Sequence, residues 1–202
     1  GLGNEDVIAE FVPRVIRGSI ITAGAIVEPG IVRYDSPGDS WFGPYEPRPA
    51  PLPEVGRLAG LLTEGGLRTH ALTDARGPQW TKVIFNSATS PLAALTGLPM
   101  GPLCTDTGLR AQVDALVSEA LAVCERAGIV LEGPPGEAVD EAIVKAYDHK
   151  PSMLQDVLAR RATEIDVLNG GIAAEGRRIG VPTPRHDCMV ALVRGLEKSW
   201  AP

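Results

Sequence analysis

The sequence predicts a mixed α/β segment followed by an all-α segment, on three observations. Short runs rich in Ile, Val, Thr and Gly, bounded by turn residues, fill the chain up to residue 76. From Gly77 onward apolar residues recur at three- and four-residue spacings, and no convincing strand follows. Between residues 44 and 53 prolines are too dense for helix or central strand, so this stretch is an extended connection. The domain boundaries that follow are 1–76 and 77–202.

Within the first part, residues 4 to 12 read as a short helix with Asn4 as N-cap and Val7, Ile8 and Phe11 facing inward. Val15 to Val27 reads as one strand, whose glycines allow a neighbouring backbone to come close. Glu28-Pro29-Gly30 is a turn, and Ile31–Tyr34 and Ser40–Phe42 read as short antiparallel strands. Leu58, Leu61 and Leu62 mark a helix that ends at Gly65-Gly66, and Leu67 to Leu72 is another strand.

In the second part, Trp80 to Leu95 has helical spacing, with Pro91 expected to kink it or to start a new segment. Leu109, Val113, Leu116, Val117, Ala120, Leu121 and Cys124 form one stripe of a long amphipathic helix that ends at Gly128. Glu137 to Tyr147 is a weaker helix. A helix from Ser152 carries Ser152, Asp156, Arg160 and Glu164 four apart on one face, and it is expected to bend near Gly170-Gly171. Val157, Leu158, Ile165 and Leu168 are spaced for burial on another side. Thr183 and Pro184 read as N-cap and first residue of a last helix.

Bulk properties narrow the function classes. A chain of 202 residues has room for one sizeable domain or two small ones. Its net charge of -6 disfavours nucleic acid and anionic membranes, which need concentrated positive charge. Arg160-Arg161 and Arg177-Arg178 are too short to be basic patches and read as surface charge. Cys104, Cys124 and Cys188 are odd in number and lack metal-ligand spacing, so buried free thiols in a reducing cytoplasm are expected. No apolar run reaches the length of a bilayer span, and no signal peptide opens the chain. Gly1-Leu2-Gly3-Asn4 opens without Met, as if entering a fold midway.

Two polar stripes carry potential chemistry. Lys82, Asn86 and Ser90 stand four apart on a helix otherwise lined by Val83, Ile84, Ala88 and Leu92. A lysine there either snorkels to solvent or is held in a cleft, where desolvation lowers its pKa and suits it to proton transfer. Asn86 is either a surface asparagine or a holder of a substrate oxygen. In the second stripe Ser152 and Gln155 fit a capping box, S-x-x-Q, and a helix N-terminus there also attracts a carboxylate. Asp156, Arg160 and Glu164 are either i, i+4 ion pairs or the wall of a cleft, with Glu164 the strongest candidate for a functional acid. Asp166 reads as surface. His70, His149 and His186 share no spacing and read as structural or exposed, and no metal motif, Walker loop, nucleophile elbow or dinucleotide fingerprint appears.

Taken together, these residues resemble the ketopantoate reductase family (2-dehydropantoate 2-reductases). The resemblance rests on Lys82-x-x-x-Asn86 with Pro91-Leu92, Ser152-Met153-x-x-Asp156, Thr163-Glu164-Ile165-Asp166, Asn169-Gly170 and Pro184, in that order and at fitting intervals. It implies that residues 1–76 are the C-terminal part of a Rossmann-type NADP-binding domain. Residues 77–202 are then an all-α domain of the 6-phosphogluconate dehydrogenase C-terminal type, serving substrate binding and dimerisation. It implies NADPH as cofactor, with Gly1 and Glu164 on the cofactor side and no phosphate-binding loop in this chain. Lys82 and Glu164 are the implied catalytic pair, and Asn86, Ser90 and Ser152 the implied substrate-binding residues. Ser90 departs from the family, where a second asparagine is usual.

The expected reaction is reduction of a 2-oxo acid, 2-dehydropantoate to pantoate in pantothenate and coenzyme A biosynthesis. The expected partners are that small molecule and a second copy of the chain in a cytoplasmic homodimer. Without a phosphate cradle, this chain alone is expected neither to bind NADPH measurably nor to turn over. The competing readings are a non-catalytic helical dimerisation module and a related hydroxyacid or opine-type dehydrogenase.

Overall fold

The computed structural model describes residues 1–200, and leaves outside the description the side chains of Ala23, Ala25, Asp35, Ser36, Ala138, Ala142, Ile143 and Lys145. The chain forms two compact units, one of residues Asn4–Gln79 and one of Gly1–Gly3 together with the chain from Trp80 onward.

The first unit contains α1 (Asn4–Ala9), β1 (Ile16–Ile20), β2 (Ala23–Glu28), β3 (Ile31–Ser36), β4 (Ser40–Pro44), α2 (Leu52–Glu64) and β5 (Thr69–Ala71). β1 is antiparallel to β4, and β5 is parallel to β4 on its other side. β2 and β3 form a separate antiparallel hairpin around Gly30, whose φ of +86° suits the turn. The single strand expected over Val15–Val27 is therefore two. After the Ile20–Ser40 pair, a Cβ on Gly38 would lie 2.6 Å from the Thr22 nitrogen, and Thr22 donates its hydroxyl to the Gly38 carbonyl. That close crossing turns the chain out of the first sheet. β3 and β4 pair with β2 and β1, not with each other.

The close backbone approach expected at these glycines occurs at Gly24, where a Cβ would lie 2.8 Å from the Arg33 carbonyl oxygen, whereas at Gly18 the close neighbour is the Phe42 ring at 2.7 Å. The proline-rich connection is shorter than expected and not extended throughout: Pro44 ends β4 and α2 starts at Leu52. Between them the chain turns at Glu46-Pro47, with Arg48 N–H on the Tyr45 carbonyl at 3.0 Å and the Val15 carbonyl accepting from the Tyr45 and Ala50 N–H groups. α2 ends as its glycines predict. Gly66 takes φ +91°, and Leu67 N–H reaches back to the Leu62 carbonyl at 2.8 Å.

α1 is helical but turned the other way round from the expectation. Val7, Ile8 and Phe11 are exposed, Phe11 by 80 %, while Glu5 is buried. The reason is a polar cluster: Gln79 Nε2 donates to Glu5 Oε1 at 2.6 Å, and Arg17 Nε lies 3.5 Å from the same oxygen. Arg17 also stacks over the Tyr45 ring at 5.1 Å, and the Tyr45 hydroxyl donates to Asp6. Desolvation and then the Asp6 carboxylate push the Tyr45 phenol up to about 12.

The second unit contains α3 (Arg76–Thr96, whose first turn belongs to the first unit), α4 (Met100–Thr105), α5 (Thr107–Ala127), α6 (Pro135–Lys145), α7 (Ser152–Leu158), α8 (Asn169–Ile179) and α9 (Pro184–Lys198). Ile84, Leu103, Leu116, Leu154, Ile165 and Ile172 are among its fully buried side chains. α5 is the long helix that the periodicity predicts. Asp106 caps it by accepting from Leu109 N–H at 2.9 Å, and Gly128 ends it at φ +65°. α4 has no counterpart in the sequence reading. Among the described residues no helix is long and apolar enough to cross a membrane.

Three further expectations are corrected here. The helix from Ser152 stops at Leu158. Arg160 adopts φ +51°, Arg160 N–H bonds the Val157 carbonyl and Arg161 N–H the Asp156 carbonyl, which is a Schellman ending with arginine where glycine is usual. The four-residue stripe is thereby broken, Asp156 pairs with Arg161 at 2.7 Å, and Leu158 is exposed. Ser152 does not cap α7, and Gln155 instead donates to the Lys150 carbonyl at 2.8 Å. Cys188 is exposed, whereas Cys104 and Cys124 are buried, with the Cys124 thiol pushed up to about 12 by desolvation.

Candidate active site

The site begins with what holds α3. Asp74 accepts from Arg76 N–H at 2.9 Å and from the Arg76 guanidinium, and these bonds hold its carboxyl below the usual range. Downstream, every residue from Ser87 to Ala94 is buried, so this half of α3 is enclosed on all sides. Lys82, Asn86 and Ser90 lie on one face and run inward from solvent. Lys82 is exposed, Asn86 half-buried and Ser90 only 3 % exposed.

Glu164 comes from the turn between α7 and α8. Ile165 and Leu168 anchor that turn in the core, and Thr163 N–H donates to Glu197 of α9 at 2.7 Å. The Glu164 carbonyl accepts from Leu168 N–H at 3.0 Å, which closes the turn. The Glu164 side chain stays exposed. Lys82 and Glu164, 82 residues apart in sequence, thus interact. Desolvation holds the Lys82 ammonium below the ordinary lysine value, and the Glu164 carboxylate pulls against it.

Gly1 meets the same turn. Leu2 N–H donates to the Val167 carbonyl at 2.7 Å, and a Cβ on Gly1 would lie 2.4 Å from Val167 Cγ2. Glycine is required by that approach. Ser152 is exposed at the first turn of α7, held there by the buried Met153 and Leu154. Asp166 is at the surface in an ion pair with Arg194 at 2.8 Å.

In the sequence Asn169 stands in a motif without an assigned role, and His186 reads as structural or exposed. Both are 0 % exposed and joined. Asn169 Nδ2 donates to the Ser87 carbonyl at 2.9 Å and to His186 Nδ1 at 3.1 Å, and His186 Nε2 donates to the Leu116 carbonyl at 3.1 Å. A donor at Nδ1 and an acceptor at Nε2 fix His186 as the neutral Nε2–H tautomer, and burial holds its pKa below the ordinary value. No spacing in the sequence signals these contacts.

A cationic amine at the surface, an acid opposing it and a row of polar groups leading inward can bind a small polar molecule and deliver a proton to it. Residues 74–197 match the family profile described as ketopantoate reductase PanE/ApbA C terminal. The chain belongs to the ketopantoate reductase family. Among its curated relatives, the 2-dehydropantoate 2-reductase of Mesorhizobium japonicum is 34% identical over 188 residues, which is 91% of this chain and 56% of the relative. That of Pyrococcus abyssi is 28% identical over 198 residues, 98% of this chain and 65% of the relative. The chain therefore spans less than two thirds of the length of these relatives. Among solved structures, a PanE/ApbA family ketopantoate reductase from Ralstonia eutropha JMP134 matches with a TM-score of 0.85 at 27% identity, over 97% of this chain and 64% of the other. A D-mandelate dehydrogenase in complex with NADH matches with a TM-score of 0.86 at 27% identity, over 100% of this chain and 69% of the other.

Proposed function

We propose that this ketopantoate reductase family chain supplies the substrate-binding and proton-donating part of an NADPH-dependent reductase of a 2-oxo acid, 2-dehydropantoate to pantoate, in pantothenate and coenzyme A biosynthesis. The observation that carries this reading is the row of Lys82, Asn86 and Ser90 running inward from solvent along one face of α3, with the Glu164 carboxylate acting on the Lys82 amine. A cation beside the carbonyl oxygen stabilises the alkoxide charge that develops during reduction more than it stabilises the ketone. In this reading Lys82 gives its proton to that oxygen as the C2 carbon is reduced, and regains one from solvent. Asn86 and Ser90 hold the polar groups of the substrate from the same helix face, and Ser152 holds its carboxylate. The helical unit is then a domain of the 6-phosphogluconate dehydrogenase C-terminal type.

The residues present fit the nicotinamide end of a dinucleotide. Gly1 brings a backbone without a side chain onto the Glu164 turn, and the exposed Glu164 carboxylate can accept from an amide or a hydroxyl. When bound, NADPH supplies the hydride. Gly1 and Glu164 would hold it, and Glu164 would also orient the substrate hydroxyl formed.

A second reading is favoured by the similarity to D-mandelate dehydrogenase with NADH. It keeps the same roles for Lys82 and Glu164, but takes a 2-oxo acid with a larger apolar substituent and NADH. Steady-state oxidation of NADPH and NADH by the full-length protein, against 2-dehydropantoate and a set of aliphatic and aromatic 2-oxo acids, separates the two. Preference for NADPH with 2-dehydropantoate supports the first reading, and preference for NADH with an aromatic 2-oxo acid the second. Turnover with none of them sinks both.

A further inference from the structure

Pro91 lies inside α3 and has no N–H, so the Ser87 carbonyl one turn earlier lacks its helical donor. That carbonyl sits between Asn86 and Ser90, in the enclosed half of the helix. Left bare, it would be a buried unpaired acceptor, which proteins rarely tolerate. Asn169 Nδ2 fills the gap at 2.9 Å from 82 residues away. Asn169 is also the first residue of α8, directly after Leu168, whose N–H closes the Glu164 turn. One side chain therefore ties the backbone of the Lys82–Asn86–Ser90 helix to the end of the turn that presents Glu164. Its second donor bond, to His186 Nδ1, fixes the amide so that it cannot rotate away. Meanwhile Asn169 Oδ1 is buried with no partner among the described residues, a cost that an apolar residue of this size would not carry.

We infer that Asn169 is a positioning residue for the reduction, holding α3 in register with the Glu164 turn through the Ser87 carbonyl that Pro91 leaves open. This rests on the roles given above to Lys82 and Glu164. A purely structural role would require only that the Ser87 carbonyl be satisfied. A positioning role requires that it be satisfied by this turn.

Pro91→Ala separates the two, because it returns an N–H to the helix at the place where the Ser87 carbonyl needs one. The full-length protein, Asn169→Ala, Pro91→Ala and the double variant are compared for kcat, for KM of both substrates and for melting temperature. Asn169→Ala is expected to lose at least about tenfold in kcat with the NADPH KM within about twofold, as misplacement of a reacting group predicts. The double variant is expected to regain melting temperature but not kcat. Return of kcat in the double variant, an unaffected kcat in Asn169→Ala, or an equal loss in Pro91→Ala alone would each overturn the inference.

A readout without turnover keeps it distinct from the functional reading. The Lys82 pKa, followed by NMR of the 13C-methylated amine, should shift in Asn169→Ala and stay shifted in the double variant. Burial and the Glu164 carboxylate act on Lys82 in opposite senses, so a displaced Glu164 turn changes their balance. An unchanged Lys82 overturns the inference, whatever substrate the protein uses. Absent turnover in the parent with a Lys82 that does respond would fault the proposed reaction alone.

Discussion

Glu119 of α5 caps α9 in place of Thr183: its carboxylate accepts from the backbone N–H of Arg185 at 3.1 Å and of His186 at 3.3 Å. Thr183 precedes the helix as the sequence suggests, but its side chain makes no capping bond. A carboxylate at this end also meets the positive pole of the helix. Glu119→Ala should therefore destabilise the protein by about 1–2 kcal/mol, as loss of an N-cap does. Glu119→Gln, which keeps an acceptor, should lose less. Urea unfolding of the three proteins checks this, and equal midpoints would remove Glu119 from the account of α9.

Arg160 offers a stabilising change. At φ +51° its Cβ is disfavoured by about 1–2 kcal/mol, which glycine relieves at some cost in unfolded-chain entropy. Arg160→Gly is thus expected to raise stability by about 1 kcal/mol or less, and Arg160→Ala to change little. Thermal melts of the two variants against the parent decide it. A less stable Arg160→Gly would mean that the arginine side chain contributes something beyond its backbone geometry.

The helices of the second unit were largely legible in the sequence because their signals are local. The stripe from Leu109 to Cys124 and the glycine at position 128 give α5 its extent and its end. The Ser152 helix was misread for a physical reason: its stop is a left-handed arginine, and Asp156, Arg160 and Glu164 happen to repeat at a helical interval. Arginine has no sequence mark for φ > 0, whereas glycine would have. Val7, Ile8 and Phe11 misled in the opposite direction, since apolar character does not reveal that Glu5 is buried by Gln79 and Arg17. Lys82, Asn86, Ser90 and Glu164 were legible as candidates. The interaction of Lys82 with Glu164, the cap from Glu119 and the reach of Asn169 to Ser87 join residues 66 to 82 apart, and only the tertiary fold brings them together.

His186 should make stability depend on pH. Its folded-state pKa is lowered from 6.5 by burial, against smaller opposing effects of the Leu116 carbonyl, Glu119 and Asp187, while Asn169 Nδ2 occupies the nitrogen that would take the proton. The unfolded chain therefore takes up a proton first as pH falls. The contribution of the neutral ring is complete above 6.5 and is lost progressively between 6.5 and the lower folded value. Between about pH 7.5 and about pH 5 the parent should lose more unfolding free energy than His186→Asn. Parallel pH slopes for the two proteins would show that His186 does not carry this dependence.

On the proposed reading, Lys82 donates the proton in the reduction of a 2-oxo acid. Its most direct test is the steady-state rate of NADPH oxidation by full-length Lys82→Ala with the preferred 2-oxo acid, alongside a melting curve that shows the variant folded. The expected result is a fall in kcat of about 10²–10⁴-fold, the range of a lost general acid, with the fold intact. A folded Lys82→Ala that retains the parent rate would contradict it.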